Sequence, residues 1–131
     1  MRIYKTTDKV NFKVGDAMFT IVPLSRLQKM DILSISSRKE SGLAIDSGME
    51  MTALSMKYSI KDVQGLKDGD GDEYKVLFDD QGYLTEQSVD DLFNIEEALP
   101  LMTAMASLTS GIGKLNSIQG VEIVGGGIEK K

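Results

Sequence analysis

The 131-residue chain contains no cysteine, no histidine and no tryptophan, and only two prolines. Without a thiol or an imidazole it has no Cys-based or Ser/His nucleophile, no Cys/His zinc site, no haem ligand of those types and no disulfide framework. Carboxylate, Lys, Tyr or Ser chemistry and oxygen-ligated metals remain open, and each requires a constellation of residues. A long apolar run is also missing. No stretch approaches the roughly 20 residues needed to span a bilayer, and the opening Met-Arg-Ile-Tyr-Lys-Thr-Thr-Asp lacks the apolar centre of a signal peptide. A cytoplasmic protein is the expectation.

Positive charge is in deficit, with 15 Lys and Arg against 20 Asp and Glu, a net charge of −5 and an isoelectric point near 4.7. Phosphate backbones and anionic membrane surfaces attract basic clusters, so neither a nucleic acid nor a membrane is an expected partner. The densest basic group, Arg26, Lys29, Arg38 and Lys39, spreads around a solvated helix face.

The remaining composition fits one small core and a single α+β domain over residues 1–115, with 116–131 as a flexible tail. Val10, Phe12 and Val14 alternate before Gly15-Asp16, and Met18, Thr20 and Val22, or Phe19 and Ile21, alternate after it; this predicts a β-hairpin. From Pro23, the apolar residues Leu24, Leu27, Met30, Ile32, Leu33 and Ile35 predict an amphipathic helix over about 23–39 that stops before Gly42. Leu54, Met56, Tyr58 and Ile60 alternate at period two. A strand over about 53–64, an acidic turn and a partner strand through Tyr74, Val76 and Phe78 form a second expected hairpin.

Thr85 or Ser88, the latter with Asp91 three residues on, suits the start of a helix over roughly 86–98. Asn94 with Glu97 offers another capping pair, and Pro100 either separates a further short helix or kinks a single longer one. Leu101, Met102, Ala104, Met105, Ala106 and Leu108 form a nearly polar-free helical segment stopping at Gly111 or Gly113. No internal repeat is evident. Gly125-Gly126-Gly127 followed by Ile-Glu-Lys-Lys reads as a loose end.

Four features are candidate sites. Asp68-Gly69-Asp70-Gly71-Asp72 places alternating carboxylates where a hard cation could be held, but an EF-hand loop begun at Asp68 needs Gly at its sixth position and Glu at its twelfth, where Glu73 and Asp79 stand. An acidic solvated turn is the plainer reading, and no metal or other cofactor is assigned. Gly111-x-Gly113-Lys114 and the triple glycine resemble parts of phosphate loops, yet the first pair follows a helix, and no Ser or Thr follows Lys114. Asp90, Asp91, Glu96 and Glu97 sit near expected helix starts, where the helix dipole favours negative charge, so no catalytic role is assigned. Of the eight methionines, Met18, Met30, Met102, Met105 and one of Met51 and Met56 fall at apolar positions suited to a core. The segment from Leu99 to Leu108 is so apolar that Leu99, Leu101, Met102, Met105 and Leu108 are the expected oligomer or partner surface.

The order of features resembles a known family: the β-rich start, the amphipathic helix after Pro23, Tyr58-Ser-Ile-Lys-Asp-Val-Gln-Gly-Leu, the acidic turn, then Phe78-Asp-Asp-Gln-Gly-Tyr-Leu-Thr-Glu-Gln-Ser-Val before an apolar helix. Over residues 10–115 this is similar to the tail assembly chaperones of bacteriophages with long, non-contractile tails. The resemblance implies a non-enzymatic protein of the host cytoplasm that self-associates, coats the tape measure protein, keeps it soluble until tail tube subunits polymerise, and is absent from the finished virion. It also implies a longer form, made by ribosomal frameshifting near the 3′ end of the gene, which recruits the tail tube protein; Lys130-Lys131 suits an A-rich slippery run. The family has no invariant motif, so no individual residue is carried over. The competing expectation is a structural tail component, a tube or connector subunit that stays in the virion, and a third is a calcium-binding module built on Asp68 to Asp72.

Overall fold

The computed structural model describes residues 1–36 and 44–124. Strands β1 (Val10–Val14) and β2 (Ala17–Ile21) form the expected hairpin, with Phe12 opposite Phe19 and their rings stacked at 5.4 Å. Their alternation is regular. Val10, Phe12, Val14, Ala17, Phe19 and Ile21 are all buried on one face, while Asn11 and Thr20 meet on the other through a 2.7 Å hydrogen bond from the Thr20 hydroxyl.

Helix α1 (Arg26–Ser36) comes next, and the expected stop before Gly42 lies outside the described residues. Ser25 caps it by accepting from the Gln28 amide at 3.1 Å, while the Gln28 side chain accepts from the Ser25 amide at 2.9 Å, a reciprocal capping box.

The first correction concerns residues 53–59. These belong to α2 (Ala44–Ser59), which runs without a loop into β3 (Ile60–Gln64). Among the described side chains of α2, the buried ones are Thr52, Ser55, Met56 and Ser59, a spacing of three, four and seven residues from the first, which is one helical face. Three of those four side chains are small and polar, so hydrophobicity alone conceals the period.

The expected second hairpin is also absent from the described residues. Strand β3 pairs instead with β2, antiparallel, with Lys61 bulged out between the Ile21–Ile60 and Thr20–Asp62 pairs. That extra residue turns both Ile60 and Val63 toward the core. Gly65, at φ +88°, then lets the chain leave the sheet against Asp16, whose carbonyl oxygen would lie 2.6 Å from any Cβ placed there.

Residues 66–85 form two miniature hairpins, closed by single bridges between Lys67 and Glu73 and between Phe78 and Leu84. They share one plan, a small repeat that side-chain periodicity does not reveal. Asp68 Oδ1 accepts from the amides of Asp70 and Asp72 at 2.9 and 3.0 Å, and Asp79 Oδ1 accepts from those of Gln81 and Tyr83 at 2.8 and 3.0 Å. Gly71 and Gly82, at φ +85° and +84°, supply the left-handed residue in each. Side-chain competition for backbone amides is why this stretch does not extend into strands.

Helix α3 (Glu86–Leu92) is capped by Thr85, whose hydroxyl accepts from the Ser88 amide. Helix α4 spans Ala98–Ser107, so the helical stretch is two short helices divided at residues 93–97, with Pro100 in the first turn of α4, where its missing amide costs nothing. Glu97 occupies the N-cap of α4 without a side-chain capping bond, and Asn94 instead donates to the Asp90 carbonyl, so the second expected capping pair does not form. Two 3₁₀ segments, Leu108–Ser110 and Ile112–Ser117, come after α4 and flank Gly111.

Strand β4 (Glu122–Val124) pairs antiparallel with Asn11–Lys13, giving the sheet order β3-β2-β1-β4. The expected boundary at residue 115 is therefore too early, since 116–124 are part of the fold; residues 125–131 lie outside the described residues. The α+β class holds, with one mixed core joining the inner sheet face to Met56, Leu84, Leu92, Leu101, Met105 and Leu115.

This core assigns opposite fates to two neighbouring leucines. Leu101→Ala is expected to lower stability by about 2–5 kcal/mol, as buried leucine truncations do, and Leu99→Ala by less than about 0.5 kcal/mol, as at an exposed site. Urea denaturation of the two variants measures both, and equal losses would contradict the packing.

Candidate recognition surface

Of the five residues expected at a partner surface, the fold exposes one. Leu99 is 74% exposed and Met102 is half-buried, but Leu101, Met105 and Leu108 are enclosed in the core. The α4 surface is thus corrected: the segment is apolar because α2 and the 3₁₀ segments pack on it, as in the 3.7 Å contact from Ser59 Oγ to Met105 Sδ.

The exposed apolar stripe lies on α1 instead. Leu27, Met30 and Leu33 are 65%, 56% and 48% exposed, whereas Ile32 and Ile35 of the same helix are buried. At about 100° per residue these are two separate apolar arcs, one turned inward and one turned out. An apolar set too wide for one face was the available sequence signal.

Beside the stripe is a shallow groove of about 520 Å³, lined by Leu27, Gln28, Met30, Asp31 and Ser34 of α1 with Tyr58 and Tyr83. The wall opposite α1 is aromatic. Tyr58 and Tyr83 meet edge to face, with ring centroids 5.2 Å apart, and the Tyr58 hydroxyl donates a hydrogen bond to Asp31 Oδ2. Three parts of the chain converge here because Tyr58 stands at the end of α2 and Tyr83 closes the second miniature hairpin. Lys61 also lies against Tyr83, its Nζ 5.3 Å from the ring centroid, and is not part of the groove lining.

The electrostatics stem from that contact. The hydrogen bond to Asp31 comes first, and burial and the nearby carboxylate charge add to it, pushing the Tyr58 phenol up from 10.0 to about 12. Among the described residues, Asp31 is the only carboxylate or cation in the lining.

A second groove, of about 690 Å³, lies between the first miniature hairpin and the end of α3 and includes Asp16, Asp68, Tyr74, Asp91 and Glu96. Asp91 there is a structural anchor: its Oδ2 accepts from the Tyr74 hydroxyl at 2.5 Å and its Oδ1 from Gln87 at 2.9 Å. Burial and that bond raise the Tyr74 pKa. Asp90 and Asp91 stand in the last turn of α3, not at a helix start, so the expected favourable dipole effect does not apply, and for Asp91 the Tyr74 and Gln87 donors take its place.

The Asp68, Asp70 and Asp72 string does not gather into a cage, because Asp68 is turned onto its own loop amides. No group of three or more potential ligands comes together among the described residues. Gly111 ends the helical run after Leu108, whose carbonyl accepts from its amide, and the triple glycine lies outside the described residues. No helix among the described residues is long and apolar enough to cross a membrane.

Comparison of the chain with protein-family models, with curated proteins and with solved structures gives no match.

The Tyr58–Asp31 contact is directly measurable. In Asp31→Asn, ultraviolet titration should show the Tyr58 phenol ionising nearer to 10 than to 12. Because the folded-state pKa lies above the unfolded one, the contribution of Tyr58 to stability is complete below pH 10 and lost as pH rises toward 12. Wild-type protein should therefore lose more stability across that window than Asp31→Asn; equal losses would show that the contact does not form.

Proposed function

We propose that this chain is a non-enzymatic tail assembly chaperone of a long-tailed phage, and that the exposed face of α1 holds its client, the tape measure protein. The observation that carries the reading is the outward arc of Leu27, Met30 and Leu33 on a helix whose other arc already supplies the core. Folding does not require three large apolar side chains in water at helical spacing, whereas an amphipathic partner helix would cover them.

The magnitudes suit a coat better than a one-to-one complex. Covering these exposed but partly shielded side chains contributes about 1 kcal/mol each at about 25 cal/mol per Å², much of it offset by the cost of association. One copy would hold its client weakly. Many copies arrayed along a long rod gain avidity, which is how self-association serves such a protein. The net charge of −5 favours solubility of the coated rod.

In this reading the protein works in the host cytoplasm and leaves before the virion is complete, and a frameshift-extended form brings in the tail tube protein. No metal or cofactor takes part. The groove beside α1, shallow and open, suits a surface for a chain segment better than an enclosed reaction site.

Co-expression with the tape measure protein tests the proposal. The triple variant Leu27→Glu/Met30→Glu/Leu33→Glu should keep its fold, because all three positions are exposed, and should reduce soluble tape measure protein at least tenfold. Undiminished solubility would remove α1 from the client interface. Mass spectrometry of purified virions should find the chain absent, and stoichiometric presence would favour a structural tail subunit.

A further inference from the structure

We infer that the groove beside α1 selects its partner by charge, accepting an amphipathic helix that places a Lys or Arg side chain against Asp31 and apolar side chains over Leu27 and Met30. This inference rests on the proposed client-binding role of α1 and adds the chemistry of the partner.

Within the lining, Leu27, Met30, Asp31 and Ser34 span i, i+3, i+4 and i+7, a strip about 10 Å long that matches the anchor spacing of a second helix lying along the first. Apolar contact alone would accept any greasy helix. Asp31 adds a preference, since it is the one charged side chain in the lining among the described residues and is itself exposed. Its carboxylate has several acceptor positions, and the Tyr58 hydroxyl uses one of them.

The tyrosines fix where an incoming cation would sit. Tyr58 holds the Asp31 carboxylate in one orientation, so a partner ammonium or guanidinium meets a positioned acceptor. The Tyr58 and Tyr83 rings beside it present aromatic surface suited to the stem and charge of a long basic side chain. Lys61 already lies against Tyr83, within 3.5 Å of the Gly82 carbonyl, showing that this aromatic cluster accommodates an ammonium group. Neither cation of α1, Arg26 or Lys29, is part of the lining, although Arg26 reaches its edge, where it donates toward the Met30 sulfur at 3.7 Å.

The basic partner also complements the whole molecule, whose net charge of −5 attracts it at long range. An acidic helix of equal apolarity would meet both the overall field and the repulsion of one carboxylate by another at Asp31.

Two synthetic helical peptides test this, identical in their leucine stripe and differing only in flanking Lys or Glu residues, with binding to the full chain followed by fluorescence anisotropy at two salt concentrations. The Lys peptide should bind at least tenfold more tightly than the Glu peptide, and the advantage should shrink with added salt. Asp31→Asn should reduce the preference severalfold, Asp31→Lys should reverse it, and Tyr58→Phe, which keeps the ring but releases the Asp31 carboxylate, should weaken it less than Asp31→Asn does. Equal binding of both peptides, binding of neither, or a preference unaffected by Asp31→Lys would overturn the inference. Unfolding curves establish that each variant is folded. If tape measure solubility depends on the α1 stripe while the peptides show no charge preference, the charge rule alone fails. If the peptides are discriminated but tape measure solubility ignores α1, it is the proposed function that fails.

Discussion

The structure depends on the junction where α2 becomes β3 with no intervening loop. Four constraints meet within Lys57 to Ile60. The Ser59 carbonyl accepts from the Val22 amide at 3.0 Å, fixing the end of β2, and the Lys57 carbonyl accepts from the Leu84 amide at 3.3 Å, fixing the second miniature hairpin. The Ser59 side chain reaches Met105 of α4, and Ile60 begins the pairing with Ile21. Ser59 and Ile60 are fully enclosed. A buried backbone carbonyl without a partner is costly, so the two accepted bonds hold the junction in one geometry and settle how the helices sit against the sheet.

The candidate recognition surface inherits its shape from that junction. Tyr58 lies between the two tied residues, which leaves its ring little choice of direction and brings its hydroxyl to Asp31 on α1. The bond from Leu84 likewise delivers Tyr83, one residue earlier, against Tyr58. Rigid core elements thus present the groove wall, while α1 contributes the apolar stripe from the face it does not need for folding. The link from sequence to proposed function runs through this division of α1 into two arcs.

Legibility tracked how directly burial is written in hydrophobicity. The β1–β2 hairpin was readable because its inward residues, Val, Phe and Ile with Ala17, alternate along each strand on either side of Gly15, and the Thr85 cap because it is a local side-chain bond. Helix α2 was not, because its buried face is Thr52, Ser55 and Ser59 with a single Met, while Leu54, Met56, Tyr58 and Ile60 produce a chance period of two. The candidate surface erred for the converse reason. Apolar density marks Leu101, Met105 and Leu108 as important without saying whether core or partner covers them, and here the core does. Strand β4 has only three residues, too few for a period, and its place depends on a distant partner, β1.

The central claim is that α1 folds with its outer arc left open for another helix. Hydroxyl-radical footprinting of the chain, alone and mixed with the tape measure protein proposed as its client, tests it most directly. The account predicts that Met30, Leu27 and Tyr58 are modified in the free chain and shielded in the complex, while the enclosed Met56 and Met105 are protected in both. Shielding confined to other surfaces, with Met30 equally reactive in the two states, would contradict it.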